Sequence, residues 1–168
     1  MKIFLSLFLI LVLITGCGDE QVNHGTPGFL TQIISKDEIL VGDDIYQMTA
    51  GTKIQDSKGR HIKASELEPG MKIQAFYQGT MDDRLLAKKR VSLLLVLADE
   101  ESMKEADMVA AVLDDLQEGK NQHFIITDVA REEDGLAYTM YVMKRSNLDL
   151  GYTITVDAGT YEILYMEG

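Results

Sequence analysis

Thiol is nearly absent from this chain: Cys17 is the one cysteine among 168 residues. A lone cysteine closes no internal disulfide, so no disulfide framework holds the fold. It also excludes paired C-x-x-C zinc knuckles. Histidine is almost as scarce. His24, His61 and His123 stand far apart, and none belongs to an H-E-x-x-H pair. No G-x-S-x-G nucleophile elbow and no G-x-x-x-x-G-K-[ST] phosphate loop occurs. Positive charge is sparse in one half. Asp99 to Gly168 holds sixteen acidic and five basic residues, net −11, whereas Gly28 to Ala98 holds nine and ten, net +1. Nucleic acid needs clustered Lys and Arg, so the acidic half argues against that partner. It also repels an anionic membrane surface.

Long apolar runs are missing too, with one exception. Lys2 is followed by Ile3 to Ile14, hydrocarbon throughout except for Ser6. The run is shorter than the about 20 residues a membrane span needs. A charged start, a short apolar stretch and small residues Thr15 and Gly16 before Cys17 form the anatomy of a signal peptide. Ile14-Thr15-Gly16-Cys17 resembles the lipobox of bacterial lipoproteins, with Ile14 where Leu is commonest. The resemblance implies cleavage after residue 16 and a diacylglyceryl thioether on Cys17, carrying acyl chains such as palmitate. The lipid bilayer is then a partner, and the chain sits on the extracytoplasmic face of the cell membrane. A catalytic cysteine would need a histidine and an orienting group, and His24 is the only histidine nearby. Residues 17–27 are polar and read as a flexible tether.

Residues 28–98 read as a small β-barrel. Apolar and polar residues alternate in short runs broken by Ser35-Lys36-Asp37, Gly42-Asp43-Asp44, Asp56 to Gly59, Pro69-Gly70 and Asp82-Asp83. Ser65 to Glu68 allows at most one helical turn. About five strands in this length suit a closed barrel, which leaves no exposed edge. The stretch "IQDSKGRHIKASELEPGMKIQAFYQG", with Leu67, Gly70 and Met71-Lys72-Ile73, resembles the YobA-like family of Bacillus lipoproteins and an OB-like barrel. The resemblance implies a fold and a location, and no catalytic motif. An OB-like face that held a glycan or wall polymer would present aromatics such as Tyr46 or Tyr77 in a groove. Lys88-Lys89-Arg90 reads as a solvated strand surface.

Residues 99–168 read as an α+β unit, one helix packed on an antiparallel meander. Ser102 and Glu105 form an S-x-x-E capping box, and Gly119 is a C-terminal stop. Ala106, Val109, Ala110, Leu113 and Leu116 share one face. Strands follow over 123–130, 136–144, 151–157 and 161–166, with turns at Glu132 to Gly135, Ser146 to Asp149 and Ala158-Gly159. "YTITVDAGTYEIL" resembles the closing strands of PepSY and cystatin-like domains, although Gly159-Thr160 reverses their usual order. The resemblance implies a partner-binding or peptidase-modulating module.

The fold class expected is therefore mainly β: an OB-like barrel followed by an α+β unit. No catalytic, cofactor or metal residue is assigned. The aspartate doublets lack the alternate acidic spacing of a calcium loop. Met140 and Met143, three apart on a strand, point to opposite faces and build no copper site. The expected role is non-catalytic binding of a protein partner at the cell envelope, and the alternative is glycan binding through the barrel. Tyr161, Ile163 and Tyr165, alternating along the last strand, are the candidate partner contacts. The anchor is directly testable. Cys17→Ala should release the protein into soluble fractions or leave an uncleaved precursor; membrane retention after correct cleavage would overturn the assignment.

Overall fold

The computed structural model describes residues 22–78, 86–117 and 122–168. Cys17 with residues 1–16, the Asp82-Asp83 turn and the Gly119 helix stop lie outside the described residues. The first seven strands are β1 (Val22–His24), β2 (Gly28–Ser35), β3 (Glu38–Val41), β4 (Asp44–Gln47), β5 (Lys53–Asp56), β6 (Lys72–Gln78) and β7 (Lys88–Val96). A single 3-10 turn, Ala64–Glu66, interrupts them.

Five of these strands close a ring. β2, β3 and β4 pair antiparallel in sequence, β4 joins β7 in parallel, β7 joins β6 antiparallel, and β6 returns to β2. This is a closed five-stranded barrel, consistent with an OB-like fold. β1 and β5 extend it. β1 lies on the same edge of β6 as β2, further along, with Gly25 N–H donating to Ala75 O at 2.9 Å between them. The polar tether read over 17–27 therefore ends by residue 22, because Val22–His24 pairs with Phe76 to Gln78. β5 likewise continues along β7 beyond β4, and the Thr52 hydroxyl bridges the gap by donating to Val91 O at 2.8 Å. Alternation along β7 changes phase. Val91 points into the barrel, and so do Leu94 and Val96. The register shift opposite Phe76/Tyr77 absorbs the odd step.

The second unit contains α1 (Glu100–Gln117), β8 (Phe124–Arg131), β9 (Ala137–Lys144), β10 (Asn147–Asp157) and β11 (Ile163–Glu167). The four strands form an antiparallel meander in the order β11-β10-β9-β8. Three sequence readings are corrected. The helix cap is Asp99 and not Ser102: Asp99 Oδ1 accepts from Ser102 N–H at 3.0 Å, and Asp99 O accepts from Met103 N–H. That bond, followed by the Ser102 hydroxyl, holds the Asp99 carboxyl below the usual carboxylate range. The cap's contribution is thus lost only in acid, as pH falls through the lowered value. The β9–β10 turn is Arg145-Ser146, and residues 147–150 belong to β10 behind a register shift. The helix face is also rotated from the expected one. Met108, Val109, Val112 and Leu113 are fully buried, while Ala106 and Ala110 are half-buried.

Three apolar clusters fill the molecule. One is the barrel interior, with Leu30, Ile73, Tyr77 and Leu94. The second lies between α1 and the sheet and takes in Phe29 of β2. A third joins Leu40 and Ile45 of the barrel to Ile125 of β8. Polar links cross the same seam. Lys72 pairs with Glu105, and Arg145 donates to Gln32 Oε1 at 2.5 Å.

Gly70 sets how closely α1 approaches the barrel. Its φ is +97°, and a Cβ there would stand 2.7 Å from both Ala106 O and Ala110 Cβ. Only glycine satisfies both conditions. Gly70→Ala should cost about 2–4 kcal/mol, combining left-handed strain with overpacking against helix backbone. A chemical-denaturation curve checks this; a loss below about 1 kcal/mol would mean the seam yields freely.

Candidate functional site

Tyr161, Ile163 and Tyr165 do not share a face. Tyr161 precedes β11, in the left-handed region at φ +62°, half-buried against the helix–sheet core. Asp157 builds this corner: its Oδ1 accepts from Gly159 N–H at 2.9 Å and Thr160 N–H at 2.8 Å. These bonds, Thr160 first, hold its carboxyl below the usual range. Ile163 opposes Val156 and packs into the same core. Tyr165 opposes Thr155 instead, because a bulge inserts Leu164 between them. The bulge reverses the side on which Tyr165 stands, and its side chain is 66% exposed. Leu164 and Met166 are exposed beside it. The β-period correctly marked an apolar strand, but a bulge leaves no trace in alternation. β11 is the edge of its sheet, pairing among the described residues only with β10.

A second feature lies between the barrel and the sheet. It is a half-open cleft of about 760 Å³, within the range of small-ligand sites. Its walls are the β1–β2 connection, the β3–β4 hairpin, and β8 with β9. The barrel wall carries an ion pair largely withdrawn from water. Lys89 Nζ lies 2.6 Å from Asp44 Oδ2, with side-chain exposures of 10% and 13%. The same oxygen accepts from the Tyr46 hydroxyl at 3.1 Å, and Lys89 Nζ stands 5.1 Å above the Tyr77 ring. Burial pushes the Tyr46 hydroxyl far above its ordinary pKa, and the neighbouring Asp44 adds to this. Tyr46 is therefore a neutral donor. Tyr46 and Tyr77, expected as exposed groove aromatics, are buried barrel-core residues with ring centroids 6.3 Å apart, although both also line the cleft. Their positions on β4 and β6 turn them inward, which alternation alone could not orient. The basic run is likewise divided: Lys88 pairs with Glu38 at the surface and Lys89 turns inward.

On the sheet side Asp128 sits at φ +52°, within the register shift between Thr127 and Ala130. Tyr141 of β9 lies across Gly151 of β10, where any Cβ would collide with its ring. His24 reaches the cleft from β1, while His61 bridges to Gln55 on the far side of the barrel. Among the described residues no three His, Cys, Asp or Glu side chains gather closely enough for a metal ion. No helix of the described residues is long and apolar enough to cross a membrane. A scan of family models and searches of curated proteins and solved structures match nothing.

The Asp44–Lys89 pair carries a pH signature. Burial by itself would lower the Lys89 pKa, but the hydrogen bond and charge of Asp44 outweigh it and the net shift is upward. A raised lysine contributes stability that is fully present below the ordinary lysine range and lost as pH climbs through the raised value. Asp44→Asn should therefore destabilise the fold by about 1.5–3 kcal/mol at neutral pH, the worth of a charged hydrogen bond. The gap from the parent should stay constant from about pH 6 to about pH 9 and narrow only in stronger alkali. Thermal melts across that series test both statements.

Proposed function

We propose that this chain is an exported, YobA-like lipoprotein, held at the membrane through Cys17, whose acidic second unit binds a protein partner by strand addition. The observation that carries the reading is the β11 edge. Leu164, Tyr165 and Met166 are exposed there on a strand that, among the described residues, has one unpaired side. An open edge supplies main-chain donors and acceptors for an extended segment, and flanking apolar groups supply contact area. Glu162 precedes the strand and Glu167 ends it, within a half of net charge −11. A partner segment rich in Lys or Arg fits that field. The resemblance to PepSY and cystatin-like closing strands is in keeping with a module that engages another polypeptide and turns over no substrate.

The experiment places a photo-crosslinking residue at position 165, and as a control at exposed Met103, in the lipidated protein in its native envelope. Crosslinks from 165 alone, to one polypeptide through a basic extended segment, are expected. With the photo-crosslinking residue moved to exposed Leu164, Tyr165→Lys should shift stability by less than about 0.5 kcal/mol, as exposed positions do, and should abolish the crosslinked product. An undiminished product would remove β11 from the interface. A collapsed fold would place Tyr165 in the core.

A further inference from the structure

We propose that the cleft between barrel and sheet binds a neutral, hydroxyl-rich ligand, a stretch of glycan, with the Tyr141 ring as its stacking wall and Asp43, Asp128 and Lys89 as its polar contacts. The inference stands apart from β11 and rests on four observations.

The first is placement. The cleft encloses about 760 Å³ where two units meet, and ligand sites favour such junctions. Gly25, Gly28 and Gly42 line one wall. At Gly25 and Gly28 the missing side chains let this wall pack closely, since a Cβ would stand 2.5 Å from the Tyr46 hydroxyl and 3.1 Å from Gly42 N.

The second is the ion pair. Burying two charges costs several kcal/mol of desolvation, and well-packed apolar residues often serve stability as well or better. Removing one partner of the Asp44–Lys89 pair costs stability, yet the intact pair adds little over apolar residues of the same volume. It does place an ammonium in the cleft wall with its heading set by Asp44 and by the Tyr77 ring. An ammonium has three donors, so Lys89 can donate to a ligand while keeping Asp44.

The third is the charge pattern. Asp43 and Asp128 are exposed on opposite walls, while Lys72, also in the lining, is committed to Glu105. An anionic ligand meets three carboxylates. A compact cation meets two ammonium groups. Neither sign finds a uniform field. A sugar hydroxyl donates and accepts at once, and so matches a wall in which carboxylates alternate with Lys89 and the hydroxyls of Thr26 and Thr127.

The fourth is Tyr141. The residue as a whole is 38% exposed and lines the cleft. Gly151 beneath it lets the ring lie across the sheet. A fixed aromatic face beside hydrogen-bonding groups accepts the C–H face of a sugar ring, apolar surface against apolar surface. The β8 bulge turns Asp128 at φ +52° into the same space, as bulges beside binding sites do.

The test uses the full chain in detergent. Soluble neutral hexose and N-acetylhexosamine tetramers are titrated in by calorimetry, and purified insoluble wall glycan is offered in a pull-down. Saturable binding in either arm, weakened at least tenfold by Tyr141→Ala and by Asp128→Asn and unchanged in Met103→Lys, is the expected result. The arm that responds tells a free oligosaccharide from a polymer. Asp43→Asn and Asp128→Asn alter exposed side chains, so they keep the test valid should Tyr141→Ala unfold. No saturable binding in either arm overturns the proposal. Binding that survives both aspartate substitutions does too, and so does binding confined to phosphate-bearing polymer or to polylysine.

Discussion

The architecture depends on β2 being buried from both sides. A closed barrel has an inside that its own residues fill and an outside that normally meets water. On β2 that division fails. Leu30 points inward to the barrel core, while its neighbour Phe29 points outward into the helix–sheet core. Leu40 on β3 and Ile45 on β4 extend the outward patch and meet Ile125. Full burial of each such side chain is worth about 1.5–3 kcal/mol, so the seam is held by several kcal/mol of apolar contact. Two acids of the second unit stay at the seam, Glu105 paired with Lys72 and Asp128 lining the cleft. Thr31 shows the cost of this arrangement. It sits at the register shift of β2, wholly buried, and its hydroxyl has no partner among the described residues. The bulge at Thr31 leaves one polar atom dry, a penalty of about 1–3 kcal/mol that the surrounding apolar contact must exceed.

The seam also explains why polar links across it are few and specific. Lys72 lies on a barrel strand and would face solvent in an isolated barrel. Here it is covered by α1, where Glu105 meets it, and it stands 5.6 Å over the Phe29 ring. Removing either partner leaves a charge half out of water, so the pair fixes the helix's lateral position more than it adds net stability. Gly70 fixes the approach distance and the Lys72–Glu105 pair fixes the azimuth. Together they set where the sheet hangs relative to the barrel, and so the width of the cleft.

Much of this was legible in the residues. The five-strand barrel, the lone helix and the meander follow from period-2 and period-3.6 patterns with turn residues between them, and the Pro69-Gly70 turn is where its dipeptide predicts. Met140 and Met143 do point to opposite faces, one into the helix–sheet core and one toward the barrel. What was not legible shares one cause: it is decided by contacts distant in sequence. Ser102 and Glu105 satisfy the letter of a capping box, but Asp99 captures the Ser102 N–H first, and Glu105 is taken by Lys72. Asp44 and Lys89 look like a turn residue and a surface lysine until the parallel β4–β7 register sets them side by side. Tyr165 looks like a companion of Ile163 until the bulge at Leu164 turns it over.

The two candidate surfaces differ in how they were made, and that difference bears on what each can do. The cleft is a product of the seam. Its walls come from both units, so any motion between them changes its shape, and a ligand filling it would stiffen the whole molecule. β11 is at the opposite edge of the sheet from β8 and, among the described residues, pairs only with β10. Its bulge both exposes Tyr165 and breaks the flat edge that would otherwise invite indiscriminate pairing. Glu162 and Glu167 bracket the apolar trio, so two acidic copies meeting edge to edge would bring like charges together. If this edge accepts a partner strand, its kink disfavours indiscriminate flat pairing and its charge disfavours its own copy, so selectivity would begin before any partner side chain is considered.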